Sequence, residues 1–137
     1  MSNTRLTVVV RKDLNMPVGL LAAQVAHMAD AFMRNTILDA YEIPEGDNRP
    51  EGVVTFTNPQ IDWVRDPYLS VLAVNCYEDL LEVCDHTNRE NLPWLRWDDT
   101  IPSPTFPDKA IKAFVGISIG PADFDKIKIV TNGLELY

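Results

Sequence analysis

"VVVRKDLNMPVGLLAAQVAHMADAFMRN", residues 8–35, runs from an apolar strand through a polar turn into a helix rich in small residues. The β-branched run that leads into it, "RLTVVV" (5–10), has the pattern of a strand buried on both faces. Asn15 and Pro17 mark a helix start, because Asn is a good N-cap and Pro is tolerated in the first turn. From there to about Asn35, Leu21, Val25, Met28 and Phe32 recur as one apolar stripe at helical spacing. Ala22, Ala23, Ala26 and Ala29 are expected to let the helix sit close to its neighbours. A second face carries Leu20, Gln24, His27, Ala31 and Arg34. Hydrogen-bonding side chains on a closely packed helix either satisfy neighbouring backbone groups or do chemistry.

Working outward, "YEIPEGDNRPEG" (41–52) reads as a long loop inside the domain, and "VVTFT" (53–57) as a short edge strand. "YLSVLAV" (68–74) is a second buried strand, followed by a helix over "YEDLLEVCDHTNRE" (77–90). "WLRW" (94–97) reads as a short third strand. The prolines of "DDTIPSPTFPD" (98–108) exclude regular structure there. "AIKAFVGISIG" (110–120) is a fourth strand, "PADFDKI" (121–127) a short helical turn and "GLELY" (133–137) a closing extended piece. Strands alternating with helices imply an α/β sandwich around a mixed sheet. A length of 137 residues fits one domain spanning 1–137.

The formal net charge of −8 argues against a general nucleic-acid coat, so an RNA-binding reading must name a local basic patch. No apolar run is long enough to span a bilayer, and "MSNTRLTVVV" lacks the features of a signal peptide. A cytoplasmic location without membrane contact is therefore expected. Cys76 and Cys84 do not form a C-x-x-C pair, and Cys84 reads as a small buried thiol. Gly116, Ser118 and Gly120 spell G-x-S-x-G, but Ser118 lies inside an apolar run and both histidines precede it, so a strand is expected in place of a nucleophile elbow. His27 and Asp30 lack a third metal ligand, His86 reads as a solvated helix-end residue, and no metal site or cofactor is expected. The aromatics of "PWLRW" are expected to serve the core before they serve base stacking.

Arg11, Lys12, Asp13, Leu14, Asn15 and Met16, followed by Gly19, Ala22, Ala23, Gln24 and His27, resemble the type II peptidyl-tRNA hydrolase signature R-x-D-L-x-M-x-x-G-K-x-A-A-Q-x-x-H. Ile119-Gly120-Pro121, then Thr131, Gly133, Leu134 and Leu136, resemble the family's closing I-G-P…T-x-x-L-x-L. The resemblance implies a three-layer α/β/α sandwich on a four-stranded mixed sheet. It also implies hydrolysis of the ester joining a peptide to the terminal ribose of tRNA, with tRNA as partner and a homodimer as the assembly. Leu20 stands where the family has lysine. Asp98, Asp99 and Thr100 are the nearest match to its D-A-G-R-T segment, without the glycine. "MPVGLLAAQVAH" and "GDNRPEGVVTF" resemble at least as much a poorly characterised group sharing this fold, which also lacks the lysine.

Ester hydrolysis needs an oriented water, a base and donors for the oxyanion. The implied catalytic set is Asp98 or Asp99 for the water, Thr100 and Gln24 as hydrogen-bonding groups, and His27 for proton transfer or bracing. Arg11, Lys12, Asp13 and Arg34 are the implied substrate-binding residues, the three cations being the local cluster able to meet phosphates. Two other readings remain open: a hydrolase of another small ester or amide, and a non-catalytic binding or regulatory protein that keeps the fold.

Overall fold

The computed structural model describes residues 3–41 and 54–137. Within them one mixed sheet of five strands is combined with four α-helices. The strands are β1 (Thr4–Arg11), β2 (Leu69–Val74), β3 (Trp94–Pro102), β4 (Ala110–Asp123) and β5 (Glu135–Leu136). The helices are α1 (Val18–Tyr41), α2 (Asn58–Arg65), α3 (Tyr77–Arg89) and α4 (Phe124–Thr131), with a 3-10 turn over Lys12–Leu14. The strand order is β3-β4-β1-β2-β5. Only β1 and β2 pair in parallel; the other three pairings are antiparallel.

The alternation of β1 sorts the core into two parts. Val8 and Val10 join Met28 of α1, Ile101, Ala113 and Val115 in one buried cluster. Val9 joins Leu80 and Val83 of α3, Phe114, Ile117 and Ile127 of α4 in another. The α1 stripe is borne out: Met28 and Phe32 are buried, while Leu21 and Val25 are partly buried. Ala22, Ala23 and Ala26 are exposed, so the expectation that they seat the helix on its neighbours does not hold. What brings α1 close is Gly116. A Cβ there would collide with the Val9 carbonyl oxygen and lie 3.1 Å from Met28 Sδ.

Several boundaries differ from the sequence reading. Asn15 is the left-handed residue ending the 3-10 turn, at φ 49°, and not the N-cap of α1. Helix α1 starts at Val18 and passes Asn35 to reach Tyr41. The sheet has five strands and not four, because the closing segment pairs with β2 through Leu72–Leu136 and Ala73–Glu135. Residues 54–57 form no strand; Thr57 instead opens α2 with a reciprocal capping box, accepting from Gln60 N while Gln60 Oε1 accepts from Thr57 N. Val53 and nearly all of the 41–52 loop lie outside the described residues. Strand β3 runs through Asp98–Ile101 and ends at Pro102, which an edge strand accommodates, while Pro104 and Pro107 lie in the irregular turn beyond it. Pro121–Asp123 belong to β4, and Asp123 caps α4 by accepting from Asp125 N at 2.8 Å. Ser118 is a buried strand residue paired with Val8 and Leu95, which removes the nucleophile-elbow pattern.

Candidate functional site

Gln24 projects from α1 toward β3 and is 2% exposed. Its Nε2 donates to Asp99 Oδ2 at 2.8 Å, and its Oε1 accepts from Trp97 Nε1. The pairing is chemically unambiguous, because an ionised carboxylate only accepts and an indole N–H only donates. Asp99 Oδ1 accepts the Thr100 backbone N–H at 2.8 Å, so donors hold both carboxylate oxygens. His27, one turn beyond Gln24 and exposed, stacks on Trp97 with ring centres 5.0 Å apart and planes 22° from parallel. Arg34 continues the row: its guanidinium lies 5.7 Å from the Trp97 ring centre and donates to Asp30 at 3.0 Å and to the His27 carbonyl at 3.3 Å. Gln24 thus satisfies two side chains of β3 and no backbone group.

Strand parity separates the remaining candidates. Trp97, Asp99 and Ile101 share the α1 side of β3; Arg96 and Asp98 turn to the other. There Arg96 Nε and Nη2 donate to Asp98 at 2.7 and 2.9 Å, and the guanidinium lies 3.8 Å from the Phe114 ring centre. Asp98 therefore does not join Gln24 and His27. Thr100 alternates the same way, so only its backbone N–H reaches Asp99. The register shift between Trp97 and Asp98 skips Val115 on β4, placing the extra residue there and leaving the alternation of β3 intact. Asp99 pairs with Ala113 inside the strand, so this group lies on the sheet face under α1 and not beyond the strand ends.

The three cations are also dispersed. Arg11 donates to Asp13 at 3.1 and 2.8 Å and to the Phe114 carbonyl at 3.3 Å, on the side of the sheet that carries Tyr77. Lys12 pairs with Glu135 at 3.6 Å, and Arg34 with Asp30. A cavity of about 680 Å³ opens between the Arg11–Asp13 and Arg96–Asp98 pairs, away from Gln24. Trp97 is the site residue for which the sequence favours a core role over base stacking and offers no tie to Gln24. Its position two residues before Asp99, hence on the same strand face, was the signal that ties it to the site. Cys84 is buried, and burial pushes its thiol pKa up, away from the reactive thiolate. Among the described residues no group of three or more His, Cys, Asp or Glu side chains could hold a metal ion, and no helix is long and apolar enough to cross a membrane.

A buried amide that joins a carboxylate to an indole, with an exposed imidazole stacked on that indole, defines an α/β protein with a polar site on its sheet face. The family model described as "Peptidyl-tRNA hydrolase PTH2" matches residues 4–137, and the chain belongs to that family. No curated protein matches the sequence. A solved structure from Agrobacterium tumefaciens, described as a protein of unknown function, is similar at 17% identity. The match covers 100% of this chain and 99% of that one with a TM-score of 0.58, a likeness of fold.

Proposed function

We propose that this chain is a peptidyl-tRNA hydrolase built as a single three-layer α/β/α domain over residues 1–137. It would act in the cytoplasm on the ester between a peptide and the terminal ribose of tRNA. The observation that carries the reading is the Gln24–Asp99 hydrogen bond in a member of the PTH2 family. Burial divides the roles. Gln24, enclosed, is a positioning residue that aims Asp99; Asp99 and the exposed His27 are the groups that meet substrate. Asp99 holds a water and takes its proton as the water oxygen attacks the ester carbonyl. The bond to ribose then breaks, and the departing ribose oxygen takes that proton back, directly or through the His27 ring. Asp98 and Thr100 stay outside this scheme. Arg34 beside His27 is assigned to the tRNA phosphates near the ester, with Arg11 and Lys12 reserved for the tRNA backbone further out and Asp13 fixing the Arg11 guanidinium. A homodimer belongs to the same reading, with the exposed Val18, Ala22 and Ala26 face of α1 as its surface, which sedimentation velocity tests.

The direct experiment is release of peptide from peptidyl-tRNA by the purified protein. Asp99→Asn is expected to lower kcat by about 10²–10⁴-fold, the usual worth of a positioned base. Leu20, standing where the family signature has a lysine, favours a second reading in which the chain binds tRNA without cleaving it. Saturable tRNA binding with no peptide release would establish that reading in place of the first.

A further inference from the structure

Beside Leu20, one helical turn before Gln24, lies a cavity of about 190 Å³. Leu14, Met16, Leu20 and four prolines (Pro17, Pro102, Pro104 and Pro107) form its walls, and its polar lining is limited to Asn15 and Ser103. We propose that this cavity is the subsite for the side chain of the peptide's last residue, and that it selects an aliphatic side chain of valine or leucine size. The proposal rests on the ester-hydrolase reading above.

Position is the first argument. The side chain in question branches from the carbon next to the ester carbonyl, so its pocket must lie near the group that attacks that carbonyl without having to include it. Leu20 precedes Gln24 by four residues, about 6 Å along the same helix face. Pro102 follows Asp99 by three residues on β3. The cavity is thus walled by the two elements that hold the Gln24–Asp99 pair.

Chemistry is the second. No charged side chain lines the cavity, so it offers nothing to a phosphate and penalises a buried carboxylate or ammonium. The lysine of the family signature would have placed a cation at its wall; Leu20 makes that wall apolar. Size agrees as well, since 190 Å³ is below the roughly 300–1,000 Å³ of pockets that enclose a whole drug-sized ligand.

Rigidity is the third. The turn after β3 is closed by Ser103 N donating to the Lys109 carbonyl at 2.7 Å and Lys109 N to the Phe106 carbonyl at 2.8 Å. Ser103 Oγ accepts the backbone N–H groups of Thr105 and Phe106 at 3.3 and 3.2 Å. Proline φ angles are fixed by their rings. A pocket with such walls is formed before the ligand arrives and loses little entropy on filling.

The test compares N-acetyl-leucyl, N-acetyl-glycyl and N-acetyl-aspartyl esters on one tRNA body, beside NMR titrations with N-acetyl-leucinamide and N-acetyl-aspartamide. The leucyl ester is expected to exceed both others in kcat/KM by at least about tenfold, the scale on which an apolar pocket reads methylenes. N-acetyl-leucinamide is expected to give saturable shifts at the Met16 and Leu20 methyls, and N-acetyl-aspartamide none. Leu20→Phe should fill the cavity and abolish both effects. Pro104→Phe, on the exposed turn, obstructs the opposite wall without entering the core and serves if Leu20→Phe unfolds. Saturable leucinamide shifts without hydrolysis of any ester would keep the subsite and remove the hydrolase reading. Equal hydrolysis of the three esters, or no leucinamide shifts, would overturn the subsite.

Discussion

Gln24 is fixed by what it must answer at each end, a donor in Trp97 and an acceptor in Asp99, and no apolar side chain of its size can do the same. Gln24→Leu leaves the indole N–H and one carboxylate oxygen of two half-buried side chains without the partner they share. It should cost about 1–3 kcal/mol of stability, read by denaturant unfolding. His27→Ala should behave oppositely: the residue is exposed and makes one ring stack, so the loss is about 0.5–1.5 kcal/mol while peptide release falls. A large drop in melting temperature for His27→Ala, with unchanged activity per folded molecule, would assign His27 to the scaffold. The helical period of α1 already put Gln24, His27 and Arg34 on one face, and that much of the site was legible. Which of Asp98 and Asp99 faces them was not. Adjacent strand residues point to opposite sides, and the prolines after both aspartates hide from the sequence that they stand on a strand.

At the scale of elements, long β-branched runs and clear helical spacing located β1, β2, α1, α3 and β4, whose burial their own patterns dictate. The misread elements obey positional rules. Proline in β3 argues against a central strand, yet this strand is at the edge. The start of α2 is written in "TNPQ" (57–60), a capping-box spacing with proline in the first turn, but the β-branched "VVTFT" that runs into it has the composition of a strand and masks the signal. The contact of α1 with β4 is the most demanding. At Gly116 the obstruction to a Cβ is the Val9 carbonyl, which belongs to a paired strand and cannot move aside. Gly116→Ala should therefore cost about 1–3 kcal/mol by overpacking. It should also push α1 outward and loosen the Gln24–Asp99 bond, so thermal melts and Trp97 fluorescence should change together. A neutral melt with unaltered fluorescence would show that the helix has slack there.

For the whole molecule, charge is the governing quantity. With 12 Lys and Arg against 20 Asp and Glu, an RNA ligand approaches a surface that repels it on balance. Arg11, Lys12 and Arg34 each carry a carboxylate partner and do not share one patch. Binding of tRNA should then release few counterions, giving a log–log salt slope of about −2 to −3, the value for at most three phosphate contacts. Titrations across salt concentrations measure it directly. A slope steeper than about −6 would place the RNA on cations outside these three. Net charge was fully legible in the sequence. The dispersal of the cations was not, since it depends on which side of the sheet each one leaves.

The closing strand β5 contributes only Glu135 and Leu136 to the sheet, with Tyr137 N donating to the Val71 carbonyl at 3.1 Å. Those few bonds occupy one margin of β2, whose "LSVLAV" is short of charge and rich in β-formers. Uncovered, that margin would present a row of free amide and carbonyl groups to a like segment of another chain, the usual origin of ordered aggregates. Deleting residues 135–137 removes the cover at little expense to the core, because all three are exposed and Leu134, which packs against the core, is kept. The shortened protein is expected to stay folded when dilute and to scatter light increasingly as it is concentrated. A chain that remained clear at high concentration without its tail would mean that β2 is guarded by something other than β5.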